Sequence, residues 1–164
     1  MGVKRVVIGV GNPYRRDDGV GIEIAHRLRV RGCVDATVLE HDGEPAGLLH
    51  AWEGAGVAYV IDAVRGDSPG RVHRVEIVPG HPALPPLRAR CSSHALGFDD
   101  AVELGRALGR LPGRLVLLGI EGSDFTIGGG LSEQVDRTAT AVAAELAAEL
   151  VTTVRTELSG RPVS

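Results

Sequence analysis

The sequence is poor in several residue types that other protein classes need. Aromatic residues make up only 3% of its 164 positions, so Val, Leu, Ile and Ala must fill whatever core it builds. Lys4 is the only lysine; the remaining positive charge is arginine, which we read as compositional bias. The net charge is −3 and no basic run stands out, which argues against a nucleic-acid partner, because phosphate binding needs a positive footprint. The two cysteines, Cys33 and Cys91, have no CxxC spacing and form no disulfide framework, as suits a reducing compartment. No segment approaches the roughly 18–20 apolar residues of a membrane span. The first residues run straight into a glycine loop rather than through a signal sequence. The expectation is a cytoplasmic protein with no membrane partner.

What is present is alternation. Residues 5–10 (RVVIGV) read as a fully buried strand, and residues 18–29 as a helix with Val20, Ile24 and Leu28 at helical spacing. Residues 36–40 read as a short strand, 45–52 as a short helix, and 57–64 (VAYVIDAV) as a third, buried strand. Residues 71–78 (RVHRVEIV) alternate polar and apolar, which fits an edge or antiparallel strand. A Pro-rich loop follows, then a helix over 93–108 capped by Ser92 or Ser93, a buried strand over 114–120, and a long Ala-rich helix over 132–158. Strands alternating with helices predict an α/β sandwich with a mostly parallel sheet and right-handed crossovers. One domain over residues 1–159 is expected, with 160–164 a frayed tail and no internal repeat or linker.

In open α/β sheets, ligands bind outside the carboxyl ends of the strands. The sequence puts Asn12, Asp17 and Asp18 after the first strand, Glu40, His41, Asp42 and Gly43 after the second, Asp62 near the end of the third, His94 at the start of the next helix, and Glu121 and Asp124 after the last. That rim is rich in carboxylates and imidazole and has no lysine. It suits a dinucleotide badly. Gly9 and Gly11 fit a GxGxxG loop, but Tyr14 stands where the third glycine belongs, and two acids occupy the helix start that a phosphate would take. Glu40, at the place of a ribose-binding acid, favours that alternative. Asp18, Asp62 and His94 suit a divalent cation such as Zn, Ni, Mn or Fe, with positions left open for water or substrate. Each residue also has a structural role open to it. Asp17 and Asp18 can cap the helix, Asp62 can accept loop amides, and His94 can pack at a helix start. Asp62 resists this most, because an acid in an apolar strand is costly to bury without a partner. Cys91-Ser92-Ser93-His94 lacks a GxSxG elbow, Cys33 reads as inert, His26 as solvated, and His50, His73 and His81 show no ligand spacing. Trp52 and Tyr59 read as packing residues.

Taken in order, GVGNPYRRDDGVG (9–21), HDGEPAG (41–47), VIDAV (60–64), SSHALG (92–97), LLGIEG (117–122) and GLSEQV (130–135) resemble the [NiFe]-hydrogenase maturation endopeptidases over nearly the whole chain. The resemblance implies a three-layer fold with a five-stranded sheet, one strand antiparallel and helices on both faces. It implies an endopeptidase that removes a C-terminal extension from the precursor of a hydrogenase large subunit after nickel insertion. Asp18, Asp62 and His94 match the family's metal-contacting and catalytic set, and Asn12, Asp42, Gly43 and Ser93 fall on its substrate-facing loops. The nickel is expected to come with the precursor rather than as a tightly held cofactor, and either serves as a recognition element or activates the carbonyl or water. Direct acid–base hydrolysis by Asp18 or Asp62 with His94 is the other route. A non-catalytic metal-binding assembly factor and a Rossmann-like oxidoreductase are the competing functions. Pro13-Tyr14 and Glu44-Pro45 depart from the family pattern and bear on how the loops meet a partner. Glu121 is left open between a supporting and a surface role.

Overall fold

A computed structural model describes residues 2–32, 35–80 and 95–159. The elements are β1 (Arg5–Val10), a 3-10 turn (Arg16–Gly19), α1 (Val20–Arg31), β2 (Thr37–His41), α2 (Pro45–Ala51), β3 (Val57–Arg65), β4 (Val72–Ile77), α3 (Ala95–Leu108), β5 (Arg114–Gly122) and α4 (Glu133–Ser159). The strands form one five-stranded sheet in the order β2-β1-β3-β5-β4. All neighbours are parallel except β4, which runs antiparallel to β5 at the edge. This is the mixed α/β sheet that the alternating pattern and the resemblance imply.

Both faces of the sheet are buried, which is why its central strands are apolar without alternation. On one face Val7, Tyr59, Ile61, Val116, Leu118 and Ile120 pack against α1 and α4. On the other, Val6, Ile8, Val10, Val60, Leu115 and Leu117 pack against α2 and α3. Trp52 is fully buried and meets Phe98 edge-on, with ring centroids 6.3 Å apart, so it packs as expected. Tyr59 packs too, but its hydroxyl also donates to Glu149 at 2.8 Å. Burial and that carboxylate push the phenol up to about 12. Edge strand β4 keeps a half-exposed alternation. Its Arg74 pairs with Glu149 of α4, and its Glu76 pairs with Arg114 of β5.

Most boundaries differ from expectation by a residue or two, and three of the differences bear on the rim. The acids at 17 and 18 lie in a 3-10 turn, and α1 begins only at Val20. β3 continues to Arg65 and β5 to Gly122, so Glu121 lies within a strand rather than after it, while Asp62 lies within β3 as expected. The expected cap of α3 at Ser92 or Ser93, and the expected tail 160–164, lie outside the described residues. No helix among the described residues is long and apolar enough to cross a membrane.

The glycines of the first loop are explained by close packing. A Cβ on Gly21 would lie 2.2 Å from the Ile61 carbonyl oxygen and 2.5 Å from that of Val10, and a Cβ on Gly9 would lie 2.2 Å from the Gly21 carbonyl oxygen. The start of α1 therefore sits directly on the backbones of β1 and β3. Gly21→Ala is expected to destabilise the protein by about 3 kcal/mol or more, because backbone has to move. Gly129→Ala, where a Cβ meets nothing within 4 Å, should stay within about 0.5 kcal/mol of wild type. Urea denaturation of the two variants checks the contrast; equal stability of both would refute it.

Candidate functional site

Asp18 and Asp62 come to the same end of the sheet. Asp18 is carried by the 3-10 turn that packs against β3, and Asp62 lies on β3 itself, one residue after the carbonyl that touches Gly21. Both side chains are buried in the rim, at 4% and 5% exposure. The Asp62 Oδ1 accepts the Ala63 amide at 2.8 Å. Asp62 pairs in register with Gly119 of β5, so no side chain stands beside it on that strand. Its parity along β3 places it on the α2/α3 face with Ala58 and Val60. His94 and Ser93 lie outside the described residues, as do Cys33, Cys91 and His81. Among the described residues no group of three or more His, Cys, Asp or Glu side chains is placed to hold a metal ion.

Asp17 does not cap α1. The 3-10 turn has no side-chain cap, and α1 starts from Gly19 without one. Asp17 instead turns inward, fully buried, and accepts five bonds from distant segments. The Ser132 amide reaches its Oδ1 at 2.7 Å. The Ser123 amide (2.9 Å), the Asp124 amide (3.0 Å), the Ser132 hydroxyl (2.9 Å) and the Ser123 hydroxyl (3.3 Å) reach its Oδ2. Its own amide donates to the Asp124 carbonyl at 2.9 Å. Burial alone would raise its carboxyl pKa, but the amides of Ser132, Ser123 and Asp124 outweigh it and hold the group below the ordinary carboxylate range. Asp17 thus ties the turn bearing Asp18 to the loop after β5 and to the start of α4.

Glu121 is a buried strand acid rather than a surface one. Its carboxylate accepts the Ser68 amide at 2.7 Å and pairs with the His73 Nε2 at 2.7 Å. His73 and Ser68 together lower its pKa. A Cβ on Gly66 would collide with that carboxylate, so Glu121 holds the whole β3–β4 connection in place. His73, set aside from the sequence for want of ligand spacing, is its partner. An acid inside an otherwise apolar run is the feature that marks both Glu121 and Asp62.

The HDGEPAG turn closes another side of the rim. Glu44 caps α2, accepting the Ala46 and Gly47 amides at 2.9 and 2.7 Å, with Pro45 at the first helical position. Its departure from the family pattern thus has a local cause. Asp42 is exposed and accepts the Glu44 amide at 3.0 Å, while His41 Nδ1 accepts the Gly43 amide at 2.9 Å. The Gly43 carbonyl touches Gly97, where a Cβ would lie 2.1 Å away, so α3 docks its first turn on this loop. Asn12 Oδ1 accepts the Tyr14 amide at 2.9 Å and shapes the first loop. Glu40 lies in β2 and pairs with Arg29, which engages the acid that a ribose would need. His26 and His50 are exposed.

No protein-family model matches the chain. Among curated proteins, the hydrogenase expression/formation protein HupD of Bradyrhizobium diazoefficiens is 32% identical over 130 residues, which cover 76% of this chain and 66% of that protein. HoxM of Cupriavidus necator, of the same description, is 28% identical over 151 residues, covering 89% and 73%. Among solved structures, the [NiFe] hydrogenase maturation protease HybD from Thermococcus kodakarensis superposes with a TM-score of 0.72 at 27% identity, over 90% of this chain and 98% of that one. The chain belongs to the hydrogenase maturation protease family. The hydrogenase maturating endopeptidase HybD of E. coli shares the fold, with a TM-score of 0.71 at 21% identity over 92% and 93% of the two chains. The chain spans about two thirds to three quarters of the length of the two curated relatives, 66% and 73%.

In this member of the family, the depressed Asp17 carboxyl stabilises the fold above its unfolded value of about 3.9, and that contribution is lost as pH falls through the lower folded value. Asp17→Asn is expected to cost about 2–3 kcal/mol near neutral pH, because charged acceptors are replaced by one neutral oxygen. The difference from wild type should shrink steadily below about pH 4. Urea titrations at neutral and acid pH measure it; a difference independent of pH would refute the role of the charge.

Proposed function

We propose that the protein is an endopeptidase that removes a C-terminal extension from the precursor of a [NiFe]-hydrogenase large subunit, and that Asp18, Asp62 and His94 meet the nickel carried by that precursor. The observation that supports this most is two carboxylates buried at one strand-end rim, on neighbouring elements, in a chain of the maturation protease family. Carboxylate oxygens paired in this way, with an imidazole, suit a divalent cation delivered by the substrate. Nickel belongs to the substrate in this reading. A precursor without metal offers these acids nothing to coordinate and binds poorly, so processing waits for the loaded form.

Hydrolysis adds water to the scissile carbonyl, breaks the C–N bond and releases the extension as an amine that takes up a proton. Asp18 or Asp62 accepts the proton from the attacking water, and His94 orients the water or returns a proton to the leaving nitrogen. The supporting contacts are structural. Asp17 fixes the turn of Asp18, Glu121 fixes the connection after β3, and the Gly43 turn seats α3.

The test is cleavage of a nickel-loaded precursor, read by mass spectrometry, with circular dichroism to verify folding. Wild type should release a C-terminal peptide from the loaded precursor and not from the metal-free one. Asp18→Asn, Asp62→Asn and His94→Ala should each lower the rate about 100-fold or more while remaining folded. Cleavage by wild type and by all three variants alike would remove these residues from the mechanism. A wild type that binds the loaded precursor without shortening it would instead indicate a non-catalytic assembly factor.

A further inference from the structure

We propose that Arg15 and Arg65, both oriented by Phe125, and Tyr14 and Ile127, on the two bridged loops, form the surface that grips an acidic, apolar peptide segment of the precursor beside the cleavage site. This rests on the endopeptidase reading above and names how that site holds its substrate.

Tyr14 and Ile127 are among the most exposed large apolar side chains described, at 77% and 85%. Single exposed apolar residues need no explanation. These two stand on backbones bonded to each other. The Gly128 amide donates to the Tyr14 carbonyl at 2.8 Å, and the Arg16 amide donates to the Gly128 carbonyl at 3.0 Å, forming a parallel bridge between the first loop and the loop after β5. Both loops are pinned further, by Asn12 under Tyr14 and by Asp124, which accepts the Thr126 amide and hydroxyl. The two apolar side chains are held out on a braced platform.

The charge around this platform points to the occupant. Arg27, Arg29, Arg74 and Arg114 are each matched to a carboxylate, and Arg16 lies 3.4 Å from Asp124. Arg15 and Arg65 pair with no carboxylate among the described residues. Phe125 orients both: the Arg15 Nε donates to its carbonyl at 3.2 Å, and the Arg65 guanidinium lies 5.0 Å from its ring centroid. Two exposed guanidinium forks beside two apolar side chains complement a carboxylate next to an apolar residue. Arg65 stands three residues beyond Asp62 on β3, about 10 Å along the strand and on its other face. A substrate whose acid is held there crosses the carboxyl end of β3 to bring its bond to the rim acids.

The experiment compares wild type, Arg15→Glu/Arg65→Glu and Tyr14→Ser/Ile127→Ser. Cleavage kinetics on nickel-loaded precursor and direct binding of that precursor are measured at about 50 and 300 mM salt, with melting temperatures as the folding check. Charge reversal should raise KM and Kd about ten-fold or more at low salt, flatten the salt dependence, and leave kcat the less affected parameter. The serine pair should raise Kd at both salt concentrations. Wild-type KM and Kd in both folded variants would overturn this surface and leave the endopeptidase reading intact. Binding without cleavage by wild type would sink the endopeptidase reading, and Kd alone would then decide the surface. Neither binding nor cleavage by wild type would sink both.

Discussion

The buried carboxylate of Asp17 is the interaction on which the rim depends. Three stretches of chain that are far apart in sequence arrive at the carboxyl end of the sheet: the loop after β1, the loop after β5 and the start of α4. Their backbone amides need hydrogen-bond partners before they can be buried. Asp17 supplies those partners to Ser123, Asp124 and Ser132 at once, and its own amide closes the circuit through the Asp124 carbonyl. A carboxylate does this better than a neutral acceptor because bonds to a charged group are stronger and it has more acceptor sites. The positive end of α4 adds to the stabilisation. The adjacent Asp18 is then set at the rim by a turn that cannot shift without breaking those bonds.

Asp17 and Asp18 therefore divide two tasks that look identical in sequence. One acid is consumed inside the fold, where its donors are amides and hydroxyls. The other is held against β3, near the acid that the third strand carries. The glycines serve the same arrangement. Gly21 brings α1 onto the carbonyls of Val10 and Ile61, and a Cβ on Gly11 would meet the Asp18 carbonyl oxygen at 1.9 Å. The loop that resembles a phosphate cradle is shaped to wrap the backbone of its own acid turn.

The fold was legible in the sequence because burial on both faces leaves a plain mark. Runs such as RVVIGV and RLVLLGI have no alternation, while RVHRVEIV alternates, and these become the central strands and the half-exposed edge. Asp62 was legible for a related reason: one acid in an apolar strand demands a purpose. Asp17 was misread because a helix cap and a long-range acceptor have the same local sequence. What distinguishes them is a set of partners more than a hundred positions away, such as Ser132, and no local pattern carries that separation. Glu121 could not be resolved because β5 runs two residues further than its apolar run, and its carboxylate finds its partners, the Ser68 amide and the His73 ring, about fifty positions away.

The same physical economy bears on specificity. Among the described residues on the α2/α3 side of the rim, Glu44 caps α2 and His41 accepts the Gly43 amide. The opposite side carries groups that the fold leaves unsaturated, because Arg15 and Arg65 find orientation at Phe125 but no counter-charge there. A guanidinium held by a carbonyl or a ring keeps most of its donors available, and its preorganised fork loses little entropy when a carboxylate arrives. The recognition surface shares its two loops with the Asp17 circuit, and the Arg15 carbonyl accepts the Asp18 amide, but those bonds are made by backbone and by Asp17 rather than by the platform's side chains. Charge reversal at the platform leaves the Asp17 circuit whole, so affinity for a partner can change without loosening the turn that holds Asp18.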